Sequence, residues 1–242
     1  MAKRKHTWQS KYELIDENIG EGGNATVLLV NSLNTGNSYA LKLLREFGKE
    51  KEARFRDEIT IMVSNYKEVA GIMPIYDWSV DELWYVMPVA KPIITHILEE
   101  ELDFNQILAL CIAFAKELSE MHKRNIVHRD IKPLNLYLLN GSCVFGDFGL
   151  ADFPENENDF TRSDRGLGAI FTIAPEMKRN PKGADGKKAD VFSFAKTIWM
   201  LFTLEEKGFD GPYVEDDPEF SLRYLDKYKR VHLVELENLL KD

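Results

Sequence analysis

Three oxygen-bearing side chains, Asp130, Asn135 and Asp147, crowd into residues 127–150, with Lys132 between the first two. Two carboxylates and an amide are hard oxygen donors of the kind a magnesium ion takes, usually alongside phosphate oxygens and retained waters. The lysine is a mobile cation able to meet charge that develops on a transferring phosphoryl group. The chemistry these residue types point to is phosphoryl transfer.

Such a site has to be held by ordered elements. Residues 12–19, 25–31 and 38–44 alternate as strands do, and 34–37, Asn-Thr-Gly-Asn, reads as a hairpin turn between the last two. Phe55, Ile59, Met62 and Tyr66 recur about one helical turn apart and predict a helix over 49–69. Two further strands are expected at 72–80 and 82–89. Beyond Lys91-Pro92 the pattern becomes helical: Ile107, Leu110, Cys111, Phe114, Leu118 and Met121 form one apolar face over 105–124. Asn140-Gly141 between 136–139 and 142–145 marks a tight hairpin. Residues 190–204 are apolar nearly all round and predict a buried central helix, and 217–227 and 231–240 also look helical. The expected fold class is α+β, with a small strand-rich lobe holding one helix and a larger helical lobe.

Composition narrows the function further. A chain of 242 residues with 44% hydrophobic and 29% charged residues suits an ordinary globular protein. Its longest apolar run, 107–115, is far short of the roughly 20 residues that span a bilayer, so no membrane association is expected. The basic start, Met-Ala-Lys-Arg-Lys, lacks a following apolar stretch and reads as a solvated tail over 1–11 rather than a secretion signal. Cys111 and Cys143 fall in apolar patterns, as buried free thiols of a reducing, cytoplasmic setting do. A net charge of −9 argues against nucleic acid as a partner, since a phosphate backbone needs clustered cations.

The motifs, taken together, resemble those of the eukaryotic-type protein kinase family from about residue 12 to the C-terminus. His128-Arg-Asp-Ile-Lys-Pro-Leu-Asn135 stands where that family carries H-R-D-x-x-x-x-N, and Asp147-Phe148-Gly149 where it carries D-F-G. The resemblance implies a bilobal kinase fold with an N-lobe over 12–87, a hinge at 88–91 and a C-lobe from 92 to 242. It implies ATP and magnesium as cofactors, with manganese as an alternative ion. Ile19, Gly20, Gly22 and Val27 match the family's glycine-rich loop, with Ala25 in place of its third glycine. Lys42, in Tyr-Ala-Leu-Lys, matches the phosphate-binding lysine. Its partner is expected to be Glu58, with Asp57 and Glu52 as rivals. Residues 84–90 resemble the strand and hinge that read adenine, through the Pro88 carbonyl and the Ala90 N–H, with Met87 as gatekeeper. Val27 and Ala40 are then expected above the base and Tyr137, where leucine is commoner, below it.

By the same resemblance Asp130 takes or orients the substrate hydroxyl proton, Lys132 meets the γ-phosphate, and Asn135 and Asp147 hold the metal. Ile131-Lys132 resembles the serine/threonine branch, so the expected partner is a protein with a serine or threonine acceptor. His128 and Phe148 are expected to pack structurally, and Asp190 to support the catalytic loop. Thr161 and Ser163 are candidate phosphosites, with Arg129 and Arg165 as cations near them. Ala174-Pro-Glu176 matches A-P-E, whereas Ala169 and Thr172 depart from G-T-x-x-Y-x-A-P-E. The arginine that pairs with that glutamate in the family is expected beyond residue 242, so the resemblance implies a domain shortened at its C-terminal end. The alternative reading is a nucleotide-binding pseudokinase that acts as an interaction module. Glu99-Glu-Glu101 reads as a solvated helix face, with a preference for basic substrates as its rival. Nothing in the sequence states an oligomeric state.

Overall fold

The structure, a computed structural model, describes residues 6–22, 25–153, 171–180 and 183–204. Its first lobe is a five-stranded antiparallel sheet in the order β1-β2-β3-β5-β4. The strands are β1 (Tyr12–Gly22), β2 (Ala25–Ser32), β3 (Ser38–Leu44), β4 (Asp77–Ser79) and β5 (Trp84–Pro88). Alternation sends Leu28, Val30, Leu41, Trp84 and Val86 to the outer face. Part of the segment expected to be a solvated tail covers that face. Thr7–Ser10 is a single 3-10 turn whose Trp8 is buried against those five side chains. Glu82 anchors the turn, accepting from the Thr7 backbone N–H at 2.7 Å, the Thr7 hydroxyl at 2.9 Å and the Trp84 indole N–H at 3.0 Å.

The opposite face carries α1 (Lys49–Asn65), which buries Phe55, Glu58, Ile59, Ile61 and Met62. The helix is shorter than its apolar spacing suggests, because the Glu68 and Val69 N–H groups both turn back onto the Asn65 carbonyl. Val69 remains buried, so the helical period persists in a turn. The expected strand at 72–80 shrinks to Asp77–Ser79. Pro74 cannot donate to a ladder, and 72–75 is instead a buried connection against the second lobe. Ile72 bridges Phe145, the Phe145 N–H donates to the Gly71 carbonyl at 2.7 Å, and the Met73 N–H donates to the Phe145 carbonyl at 3.0 Å.

The second lobe begins at a two-residue strand, β6 (Lys91–Pro92), paired with β7 (Leu136–Leu139), which pairs in turn with β8 (Ser142–Phe145). Asn140 and Gly141, at φ 51° and 83°, make the hairpin turn that the dipeptide predicts. After α2 (Ile93–Glu99), α3 (Phe104–Lys123) starts at a capping box between Asp103 and Gln106 and buries its predicted face. α4 (Pro175–Arg179) is short; α5 (Gly186–Thr203) starts four residues earlier than expected because the Asp185 carboxylate caps the Lys187 and Lys188 N–H groups. One apolar core runs from Phe55 and Met62 under the sheet to Phe114, Phe145 and Leu201. The expected helices at 217–227 and 231–240 lie outside the described residues.

The Trp8 turn is part of the first lobe's core. Trp8→Ala is expected to lower the unfolding free energy by about 3–5 kcal/mol, the range for buried aromatic truncations, as measured by urea denaturation.

Candidate active site

The register of the sheet brings Lys42 on β3 opposite Val27 on β2 and Tyr85 on β5. Its ammonium donates to Glu58 Oε1 on α1 at 2.6 Å and to Asp147 Oδ1 at 3.0 Å. Asp57 and Glu52 make no pair with it; Glu52 instead bonds Arg56 one turn on. Tyr85 completes the arrangement. Its hydroxyl donates to the same Glu58 Oε1 at 2.8 Å, and its ring lies 5.6 Å from that of Phe55 on α1.

Burial works against the charge on Lys42, but the carboxylates of Asp147 and Glu58 outweigh it and hold its pKa well above the usual range. Burial pushes the Glu58 carboxyl up, against the pull of Lys42 and the Tyr85 hydroxyl. Lys42 beside it brings Asp147 down from 3.8 to about 2, overcoming burial. A depressed carboxyl stabilises the fold fully above its unfolded value and loses that contribution as pH falls through the folded one. For Asp147 that window lies between 3.8 and about 2, so the carboxylate stays ionised at any working pH.

A second acidic centre holds the segment that carries Asp130. Asp190 on α5 is fully buried; its Oδ2 accepts from the His128 N–H and its Oδ1 from the Arg129 N–H, each at 2.7 Å. His122 on α3 stands 3.0 Å from Asp190 Oδ2. The buried His128 ring lies 3.1 Å from the Gly146 carbonyl and 4.8 Å, centroid to centroid, from Phe148. Arg129 and Asp147 sit at φ 63° and 61°, a left-handed conformation that is uncommon outside glycine and gathers at functional sites.

Asp130 Oδ2 accepts from Lys132 Nζ at 2.8 Å and from Asn135 Nδ2 at 3.1 Å. Asn135 Nδ2 also donates to the Asp130 carbonyl at 2.8 Å. Asp130 Oδ1 is different. It is buried and has no hydrogen-bond partner among the described residues, an uncommon condition for a carboxylate oxygen that leaves an acceptor open.

The Asn135 amide N–H₂ is spent on Asp130, which leaves its oxygen as the acceptor, and Asp147 keeps Oδ2 beyond its bond to Lys42. Two hard oxygens from one amide and one carboxylate suit magnesium, which takes few protein ligands and fills its sphere with phosphate oxygens and water. A cavity of about 270 Å³ opens between the lobes here, lined by Lys42, Glu58, Asp130, Lys132 and Asp147.

The other residues expected to hold a nucleotide are not among those that line this cavity, and the sheet register gives their places. Gly20 pairs with Val27 and Gly22 with Ala25, so the glycine-rich segment is a β1–β2 hairpin end, with Ile19 42% exposed. Ala40 is buried opposite Met87, and Pro88 lies opposite Tyr39, ahead of Ala90. The larger floor residue, Tyr137, is accommodated by Gly146, where an added Cβ would stand 3.0 Å from the Tyr137 ring. Thr172 is buried, and Ala174-Pro-Glu176 opens α4. Glu99 and Glu100 pair with Lys91 at 2.9 and 3.1 Å. Thr161, Ser163, Arg165 and Ala169 lie outside the described residues.

Sequence reasoning missed Tyr85, His122, Gly146 and Asp152, which pairs with Arg129. Tyr85 lies within the stretch that resembles the strand and hinge but has no role there, and each of the four acquires its role from a partner that sequence spacing does not name.

This constellation on a strand-rich lobe and a helical lobe is that of a protein kinase. Residues 13–217 match the protein kinase domain family, and the chain belongs to it. It is 29% identical over 212 residues to a probable serine/threonine-protein kinase of Clostridium acetobutylicum, covering 84% of this chain and 31% of that protein. It is also 29% identical over 208 residues to serine/threonine-protein kinase PAK 1 of Mus musculus, covering 84% and 36%, respectively. The chain thus spans about a third of the length of these relatives.

Tyr85 gives a test of the buried network. Tyr85→Phe keeps the ring and removes one donor to a charged acceptor, so a stability loss of about 1.5–3 kcal/mol is expected in urea denaturation. An unchanged midpoint would contradict the bond to Glu58.

Proposed function

We propose that the chain transfers the γ-phosphate of ATP to a serine or threonine hydroxyl of a protein. The observation that carries this reading is the buried, unpartnered Oδ1 of Asp130, beside a lysine and at the floor of the cleft that Lys42 and Asp147 line. A substrate hydroxyl is the donor that this oxygen lacks. Asp130 then orients the hydroxyl and takes its proton, while Asn135 keeps the carboxylate turned by its bond to Oδ2. Lys132, 2.8 Å from the same carboxylate, is close enough to move onto the γ-phosphate as charge develops there.

Lys42 orients the α- and β-phosphates, its own position fixed by Glu58. Asn135 and Asp147 would hold a magnesium ion, which would supply positive charge to offset that of the phosphates. Val27 and Ala40 on one side and Tyr137 on the other would hold the adenine, and the backbone of Pro88 and Ala90 would read its edge. Little covalent work falls to the protein, so positioning and electrostatics account for the rate. The serine/threonine assignment draws on Ile131-Lys132 and on the names of the relatives.

The test is transfer of radiolabel from ATP to a generic basic protein. Asp130→Asn is expected to lose about 10²- to 10⁴-fold, the usual worth of a general base, and Asp147→Ala a comparable amount. Equal labelling by wild type and both variants would remove the catalytic assignment. Absence of label in all three, with ATP still bound, would favour the pseudokinase reading.

A further inference from the structure

Arg129 directly precedes Asp130, and its side chain is only 11% exposed. A guanidinium withdrawn this far from water needs an anion close by. Asp152 is that anion: Arg129 Nη2 donates to Asp152 Oδ2 at 2.5 Å, and among the described residues no other carboxylate pairs with Arg129. Asp152 is also fastened to the catalytic loop through its backbone. The Val127 N–H donates to the Asp152 carbonyl and the Asp152 N–H to the Val127 carbonyl, both at 2.8 Å.

The loop that presents Asp130 is therefore gripped on two sides. Asp190 takes the backbone N–H groups of His128 and Arg129, and Asp152 takes the Arg129 side chain together with the Val127 backbone. An arginine in such a place is what a phosphorylated serine or threonine would otherwise order, through a charge-assisted pair. A phosphate arriving here would meet the Asp152 carboxylate, and like charge next to a phosphate disrupts rather than orders.

We propose that Asp152 is a positioning residue that supplies the counter-charge of Arg129 from within the fold, so that the catalytic loop is assembled without any phosphate on the protein. Its activity readout rests on the kinase reading above, and its structural readout does not. Asp152 acts through Arg129 on Asp130 and touches no substrate.

The experiment uses the full chain, treated with phosphatase and shown by mass spectrometry to be phosphate-free. Wild type is expected to keep its transfer rate within about twofold of the untreated protein, because the anion is already built in. Asp152→Asn is expected to lose at least about tenfold in kcat, the scale of a small misplacement of a catalytic group, with KM for ATP little changed. Asp152→Glu should restore most of the loss, which a packing role would not require. In Asp152→Asn, deuterium exchange at the amides of residues 127–130 should quicken while α3 and α5 keep their protection.

Loss of activity on phosphate removal, or an Asp152→Asn variant unchanged in both rate and exchange, would overturn the proposal. A wild type that transfers no phosphate would sink the kinase reading alone; the exchange comparison would still decide whether Asp152 holds the loop.

Discussion

The ammonium of Lys42 is the point on which the rest of the site depends. It stands on β3, bonds to Glu58 on α1 and reaches Asp147 beyond the β7–β8 hairpin, so one buried cation joins three separately built pieces of the chain. Burying a charge is costly unless it is paired, and breaking one arm of a buried pair leaves the other arm uncompensated. Each partner is consequently held where the others need it. The Tyr85 hydroxyl adds a second tie between α1 and the sheet at the same oxygen of Glu58, so the helix is fixed by two contacts there rather than one.

Around this hub, negative charge is distributed so that each carboxylate has a different task. Asp190 is wholly internal and spends both oxygens on backbone N–H groups, which makes it scaffolding. Asp152 spends its side chain on Arg129. Asp147 is held ionised by Lys42 and keeps one oxygen beyond that bond. Of these four aspartates, Asp130 has a buried oxygen with no hydrogen-bond partner among the described residues. The difference lies in the environments, because all four are the same side chain. The two lobes share a backbone seam as well: the connection at 71–73 bonds directly to Phe145, two residues before Asp147.

Much of this was legible in the residues, and the reasons are physical. Amphipathic periods announced α3 and the strands around Lys42, because burial of one face dictates them. Asn140-Gly141 announced its hairpin because positive φ is needed there. The family resemblance singled out Lys42, Asp130, Asn135 and Asp147, and preferred Glu58 to Asp57 and Glu52. Periodicity names a face and not a partner, so it was silent on Tyr85 meeting Glu58 or Asp152 meeting Arg129. It also overran where a pattern continued in a different backbone. Val69 kept the helical spacing inside a turn, and the apolar run broken by Pro74 looked like a strand while serving as the seam between lobes. Trp8 looked like part of a charged tail, because nothing nearby in sequence reveals that the outer face of the sheet lacks a cover.

The central claim is that Lys42, held by Glu58 and Asp147, organises the reacting phosphates. The most direct test is the single-turnover rate of phosphoryl transfer at saturating ATP in Lys42→Met, with native secondary structure checked by circular dichroism. A loss of about 10²- to 10³-fold, the scale for removing one preorganised electrostatic group, is the predicted result. A rate equal to wild type in a folded variant would contradict the account.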